Sequence, residues 1–132
     1  MSSQSTHSQL RLAGALAAVL LILPFAGCNK SKSNNPVVSG PTANVGIVMN
    51  AFNMGANAFT PNPATVAAGT TVIWKNNDSI THTVTSTTAG ENYNFSIGAG
   101  GTGSHLFSTA GTFNYKCSIA GHTMNGAVTV TP

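Results

Sequence analysis

From residue 45 to the C-terminus, apolar side chains return at every second position, in short runs punctuated by Gly, Pro, Asn and Asp. A period of two sends alternate side chains to opposite faces of an extended chain, so each run predicts a strand with one buried face. The runs are residues 45–51, 71–76, 80–86, 103–108, 112–117 and 127–131. Ile80, His82 and Val84 share a face against Thr81, Thr83 and Thr85. Phe113, Tyr115 and Cys117 share one against Asn114 and Lys116, and Val128 and Val130 oppose Thr129 and Thr131. The punctuating residues are those that turns require. With no stretch of helical spacing, this predicts an all-β sandwich or barrel, with Trp74 packed in its core.

The pattern changes before residue 44. Residues 1–11 are polar and end in Arg11; an apolar run follows, broken by Pro24. That run is short for a bilayer span, which needs about 20 apolar residues. A basic start, a short apolar centre and small residues before a break predict a secretory signal over residues 1–27. Phe25-Ala26-Gly27-Cys28 resembles a bacterial lipobox, with Phe25 where a branched aliphatic residue is usual. The resemblance implies lipidation of Cys28, with acyl chains as the only membrane attachment. Residues 28–43, rich in Ser, Asn, Pro and Lys, read as the lipidated cysteine and a flexible linker, and residues 44–132 as one domain. The expected location is extracytoplasmic, in the periplasm or at the cell surface. A Cys28–Cys117 disulfide would need the tether to fold back on the domain, so none is expected.

Composition sharpens the picture in one respect. Only 5% of the 132 residues are charged, and the net charge of +3 sits towards the N-terminus. From residue 44 onward Lys75 and Lys116 balance Asp78 and Glu91. A domain without a basic patch is not expected to bind nucleic acid.

The chemistry lies where polar residues interrupt apolar faces. His82 and Cys117 both point inward by alternation. His122 follows Cys117 by five residues, in a turn flanked by Gly121, and Met124 shares parity with Val128 and Val130. Singly, a buried His or Cys is more often an inert core residue. Together, two imidazoles, a thiolate and a thioether form a mixed N/S set that suits one copper ion as both Cu(I) and Cu(II). Zinc also takes Cys and His, but a structural zinc site wants a fourth strong ligand where this set offers Met124. His105 reads as a strand histidine, and Met49 and Met54 as core or near-surface residues. Thr83 and Ser118 are placed to hydrogen-bond across the ligand segments.

Two stretches carry a family resemblance. One is Phe59-Thr-Pro, Val66, and Gly69 through Trp74, Asn76, Asp78 and His82 to Val84; the other runs from Gly111 through Tyr115, Cys117, His122, Met124 and Gly126 to Val130. They resemble the first ligand region and the copper loop of plastocyanin-like cupredoxins. The resemblance covers essentially the whole domain. It implies a Greek-key β-sandwich of about eight strands and a mononuclear type 1 copper site. His82, Cys117 and His122 would then be equatorial ligands and Met124 the axial one. One departure is the spacer: only Thr123 separates His122 from Met124, where family loops usually place more residues. The resemblance further implies one-electron shuttling between extracytoplasmic redox partners that dock near His122, by a monomer that is not an enzyme. The alternative is a copper-binding protein for storage or delivery, which would favour a more exposed, labile site.

Overall fold

β-branched and aromatic residues line one face of each long strand, and two sheets bury those faces against each other. The computed structural model describes residues 40–132; the expected signal, Cys28 and nearly all of the linker lie outside them. Among the described residues there are nine strands: β1 (Thr42–Ile47), β2 (Phe59–Thr60), β3 (Ala64–Ala67), β4 (Thr70–Asn76), β5 (His82–Ser86), β6 (Asn94–Ile97), β7 (Thr102–Phe107), β8 (Gly111–Lys116) and β9 (Asn125–Thr131). One sheet runs β2-β1-β4-β7 and the other β3-β9-β8-β5-β6. β1 pairs parallel with β4 and β3 parallel with β9, while the remaining pairs are antiparallel. The expected all-β sandwich is therefore present, with the two-residue β2 as a ninth strand.

Aromatic pairs join the sheets. Trp74 of β4 meets Tyr115 of β8 edge-on at 5.4 Å between ring centroids, and Phe107 of β7 meets Phe113 of β8 at 5.1 Å. Trp74 is fully buried, as its large apolar ring system leads one to expect. Burying a large apolar side chain contributes about 1.5–3 kcal/mol, so this file of rings is a main stabiliser of a domain with few ion pairs.

The structure differs from the sequence reading at several strand ends. The first strand stops at Ile47 because Asn50 turns the chain with φ 58°, a left-handed conformation that Asn tolerates better than most residues. Two short 3-10 helices follow, Ala51–Asn53 and Gly55–Ala58. Met49 and Met54 lie at the surface beside them. β5 begins at His82, not at Ile80. Residues 77–81 form a bend held by Asn76, whose amide donates to the carbonyls of Ile80 and Ile97, and Ile80 is 42% exposed instead of sharing the inner face. β2, β3 and β6 were not legible as strands.

Candidate metal centre

The site forms where one sheet opens. β5 and β8 pair at Thr85–Lys116 and Ser86–Tyr115, and their ladder ends there. Two residues further along, Thr83 comes opposite Ser118, and side chains replace the backbone partners. The Ser118 N–H donates to the Thr83 hydroxyl at 2.7 Å, and the Thr83 N–H donates to Cys117 Sγ at 3.4 Å. The Thr83 hydroxyl lies 3.7 Å from the same sulfur and donates to it. The expected contact between Thr83 and Ser118 is thus present, and Thr83 turns two donors towards the Cys117 sulfur.

Cys117 follows the last residue of β8 and keeps its inward phase, at 4% exposure. Its N–H donates to the Met124 carbonyl at 3.1 Å, closing the loop that carries His122. Within that loop the His122 N–H donates to the Ile119 carbonyl at 3.1 Å. Gly121, at φ 84°, occupies the third position of this four-residue turn, where a positive φ favours glycine. The turn aims His122 back towards Cys117. The Thr123 N–H donates to the Phe52 carbonyl at 2.7 Å and fastens the loop to the first 3-10 helix. Met124 is buried, and Met124, Gly126, Val128 and Val130 all keep the inward phase. Gly126 does so because the Tyr115 ring lies where a Cβ would be, 2.4 Å away.

His82 opens β5 and is fully buried. Its Nδ1 lies 3.3 Å from His122 Nδ1, which lies 3.4 Å from Cys117 Sγ. The three ligand atoms all fall within 4.8 Å of one another. A metal held at about 2.0–2.1 Å from two imidazole nitrogens sets them about 3.5 Å apart at a trigonal angle, so the spacing fits one ion. Two imidazoles and a thiolate form the soft donor set that copper takes in either oxidation state. Among the described residues Cys117 has no disulfide partner.

The other nitrogen of His82 reveals a residue, Asp78, to which the sequence reading assigned no part in the site. His82 Nε2 donates to Asp78 Oδ2 at 2.9 Å. Asp78 is 5% exposed and also accepts the N–H groups of Ala51 and Ser79. The Asp78 N–H in turn donates to Asn76 Oδ1. Burial pushes the Asp78 carboxyl up, but hydrogen bonds from His82 and from the backbone at Ser79, Asn50 and Ala51 outweigh it and take it from 3.8 to about 2. The available signal was an acid four residues before a ligand histidine, in a chain with only two acidic residues. Phe52 was also missed: its ring lies 6.2 Å from that of His122 and is partly exposed beside it. His105 is a strand residue, as expected, and pairs with Glu91 at 3.3 Å.

The comparisons agree with this geometry. The family described as copper binding proteins, plastocyanin/azurin family, matches residues 47–131. Among solved structures, a purple cupredoxin from Nitrosopumilus maritimus is 27% identical, with a TM-score of 0.60 over 67% of this chain and 99% of that one. A reduced amicyanin variant is 22% identical, with a TM-score of 0.55 over 68% of this chain and 82% of its own. A Cu(I) amicyanin variant is 23% identical, with a TM-score of 0.53 over the same shares. At those identities the amicyanins speak for the fold alone. No curated protein matches the chain. Its sequence match, its two-sheet fold and its His82–Cys117–His122 cluster together place the chain in the plastocyanin/azurin family of copper-binding proteins.

Proposed function

We propose that this protein is a one-electron carrier in which His82 Nδ1, Cys117 Sγ and His122 Nδ1 would hold a single copper ion and the Met124 thioether would supply a fourth ligand. Copper supplies the Cu(II)/Cu(I) couple. The chain's own part is to keep the ligands still, since small rearrangement between oxidation states is what rapid electron exchange needs. The observation that carries this reading is the difference in exposure across a three-residue cluster. His82 and Cys117 are buried and tied by hydrogen bonds, whereas His122 is only partly buried. Such a site favours exchange through His122 over release of the metal, which delivery to another protein would require.

Phe52 is partly exposed and lies beside His122. The charges of residues 44–132 sum to zero. A redox partner would therefore meet a small, mainly apolar face around His122, a contact suited to brief encounters. We place the protein outside the cytoplasm, tethered through a lipidated Cys28 and acting as a monomer without catalysis of its own.

The test is the visible spectrum of the purified chain with stoichiometric Cu(II), beside Cys117→Ser. An intense thiolate-to-copper band that bleaches on reduction and is missing from Cys117→Ser is the expected result. A colourless complex, or one indifferent to Cys117, would remove the electron-carrier reading.

A further inference from the structure

Resting on that reading of the copper site, we propose that Asp78 is a positioning residue that fixes the tautomer of His82 and, through its buried charge, holds the copper couple towards Cu(II). The carboxylate can only accept a hydrogen bond, so the 2.9 Å contact assigns the His82 proton to Nε2. Nδ1 is then left with its lone pair directed at Cys117 and His122. Partners of this kind make a ligating imidazole more basic and are worth about 10–100-fold in metal affinity.

The charge of Asp78 distinguishes this arrangement from simple orientation. A backbone carbonyl would fix the same tautomer with no net charge. Asp78 instead sets an anion against the imidazole in a site shielded from water. Among the described residues its ion pairing is with His82 alone. Lys75 donates to the Gly100 carbonyl instead, and the Asp78 carboxylate otherwise accepts the N–H groups of Ala51 and Ser79. These neutral donors stabilise the carboxylate without cancelling its charge, and burial weakens screening. An anion on the outer side of a ligand favours the more positive ion, so it strengthens Cu(II) binding more than Cu(I) binding.

The loop holds the carboxylate in place. Asn76 Oδ1 accepts the Asp78 N–H, and the Asn76 amide bonds two carbonyls. The Ala51 bond ties Asp78 to the 3-10 helix that bears Phe52. One carboxylate therefore connects the buried histidine with the segment beside the exposed one.

Asp78→Asn tests the charge, because its amide oxygen can still accept from Nε2 while the anion is gone. The expected result is a retained blue band with Cu(II) affinity lowered about ten-fold relative to Cu(I), a rise of about 59 mV in potential. Asp78→Glu should restore part of the difference. A retained band with an unchanged potential in Asp78→Asn would overturn the proposal and leave Asp78 a folding residue. A wild-type chain without the band would instead defeat the copper reading, a distinguishable failure. If Asp78→Asn does not fold, nitrogen-15 NMR of the wild-type Cu(I) form decides. A His82 Nε2–H in slow exchange supports the proposal, and a proton-free Nε2 overturns it.

Discussion

The two histidines of the site are held in opposite ways. His82 begins a strand, is fully buried, pairs with Ile97 of β6 and gives its outer nitrogen to a carboxylate. His122 sits in a glycine-bearing turn, is partly exposed and lies against Phe52. One is fixed by the sheet and by a charge, the other by a loop whose ends are tied at Cys117 and Phe52. The difference teaches that rigidity and access are divided between ligands: the inner arm is locked into the sheet, and the outer arm is the one that reaches the surface.

Removing the two imidazoles in turn breaks the comparison most severely. His82→Gly and His122→Gly should both lose the blue band of the copper-loaded chain. Added imidazole should restore it in His122→Gly, where the vacated space adjoins solvent, and not in His82→Gly, whose space is enclosed. Equal rescue of both, followed in the visible spectrum, would show that the arms do not differ in access.

The base of the loop arm gives the next largest effect. Gly126 pairs with Tyr115 across β8 and β9, and an added Cβ would lie 2.4 Å from the ring. Overpacking of this kind costs about 1–3 kcal/mol. Gly126→Ala should therefore lower Tm and loosen the loop, seen as broadened His122 signals beside unchanged His82 signals. An unchanged Tm would mean that Tyr115 moves aside freely.

The comparison also shows what the sequence made legible. Alternation placed Phe113, Tyr115, Cys117 and Val128 inward because these positions lie on or beside long strands whose buried face is apolar. It placed His82 inward for a reason only half right, since Ile80 is exposed in a bend. The bend depends on Asn76 reaching two carbonyls, and side-chain bonds of that kind have no period. β3 and β6 are short, and β6 alternates Asn and Ser with its apolar residues, so neither gave a strong run. Asp78 could be seen as an acid near a ligand, but its burial comes from the 3-10 helix folding over it, a tertiary contact between residues 27 apart. The outer arm was the more legible, because its Cys, His and Met lie in one short segment.

Thr83 sharpens the comparison on the side where the arms meet. Its hydroxyl accepts from Ser118 and donates to Cys117 Sγ, so Thr83→Val removes both bonds while keeping the shape. Each lost bond should cost about 0.5–1.5 kcal/mol. Removing a donor from the thiolate should also lower the reduction potential and shift the blue band, and Thr83→Ser should restore both. A potential that follows neither variant would confine Thr83 to joining the two segments.

Acid reads the carboxylate of the inner arm. The Asp78 carboxyl titrates at about 2 in the folded chain against 3.8 ordinarily, so the folded state holds the ionised form more strongly than the unfolded state does. Its contribution to stability is complete above 3.8, fades as pH falls towards 2, and is gone below that. In chelator-treated protein, wild type and Asp78→Asn should differ most in urea midpoint above pH 4 and converge as pH approaches 2. Parallel midpoints across this window would mean that the Asp78 charge is as well held by water in the unfolded chain as by His82 and the backbone in the folded one.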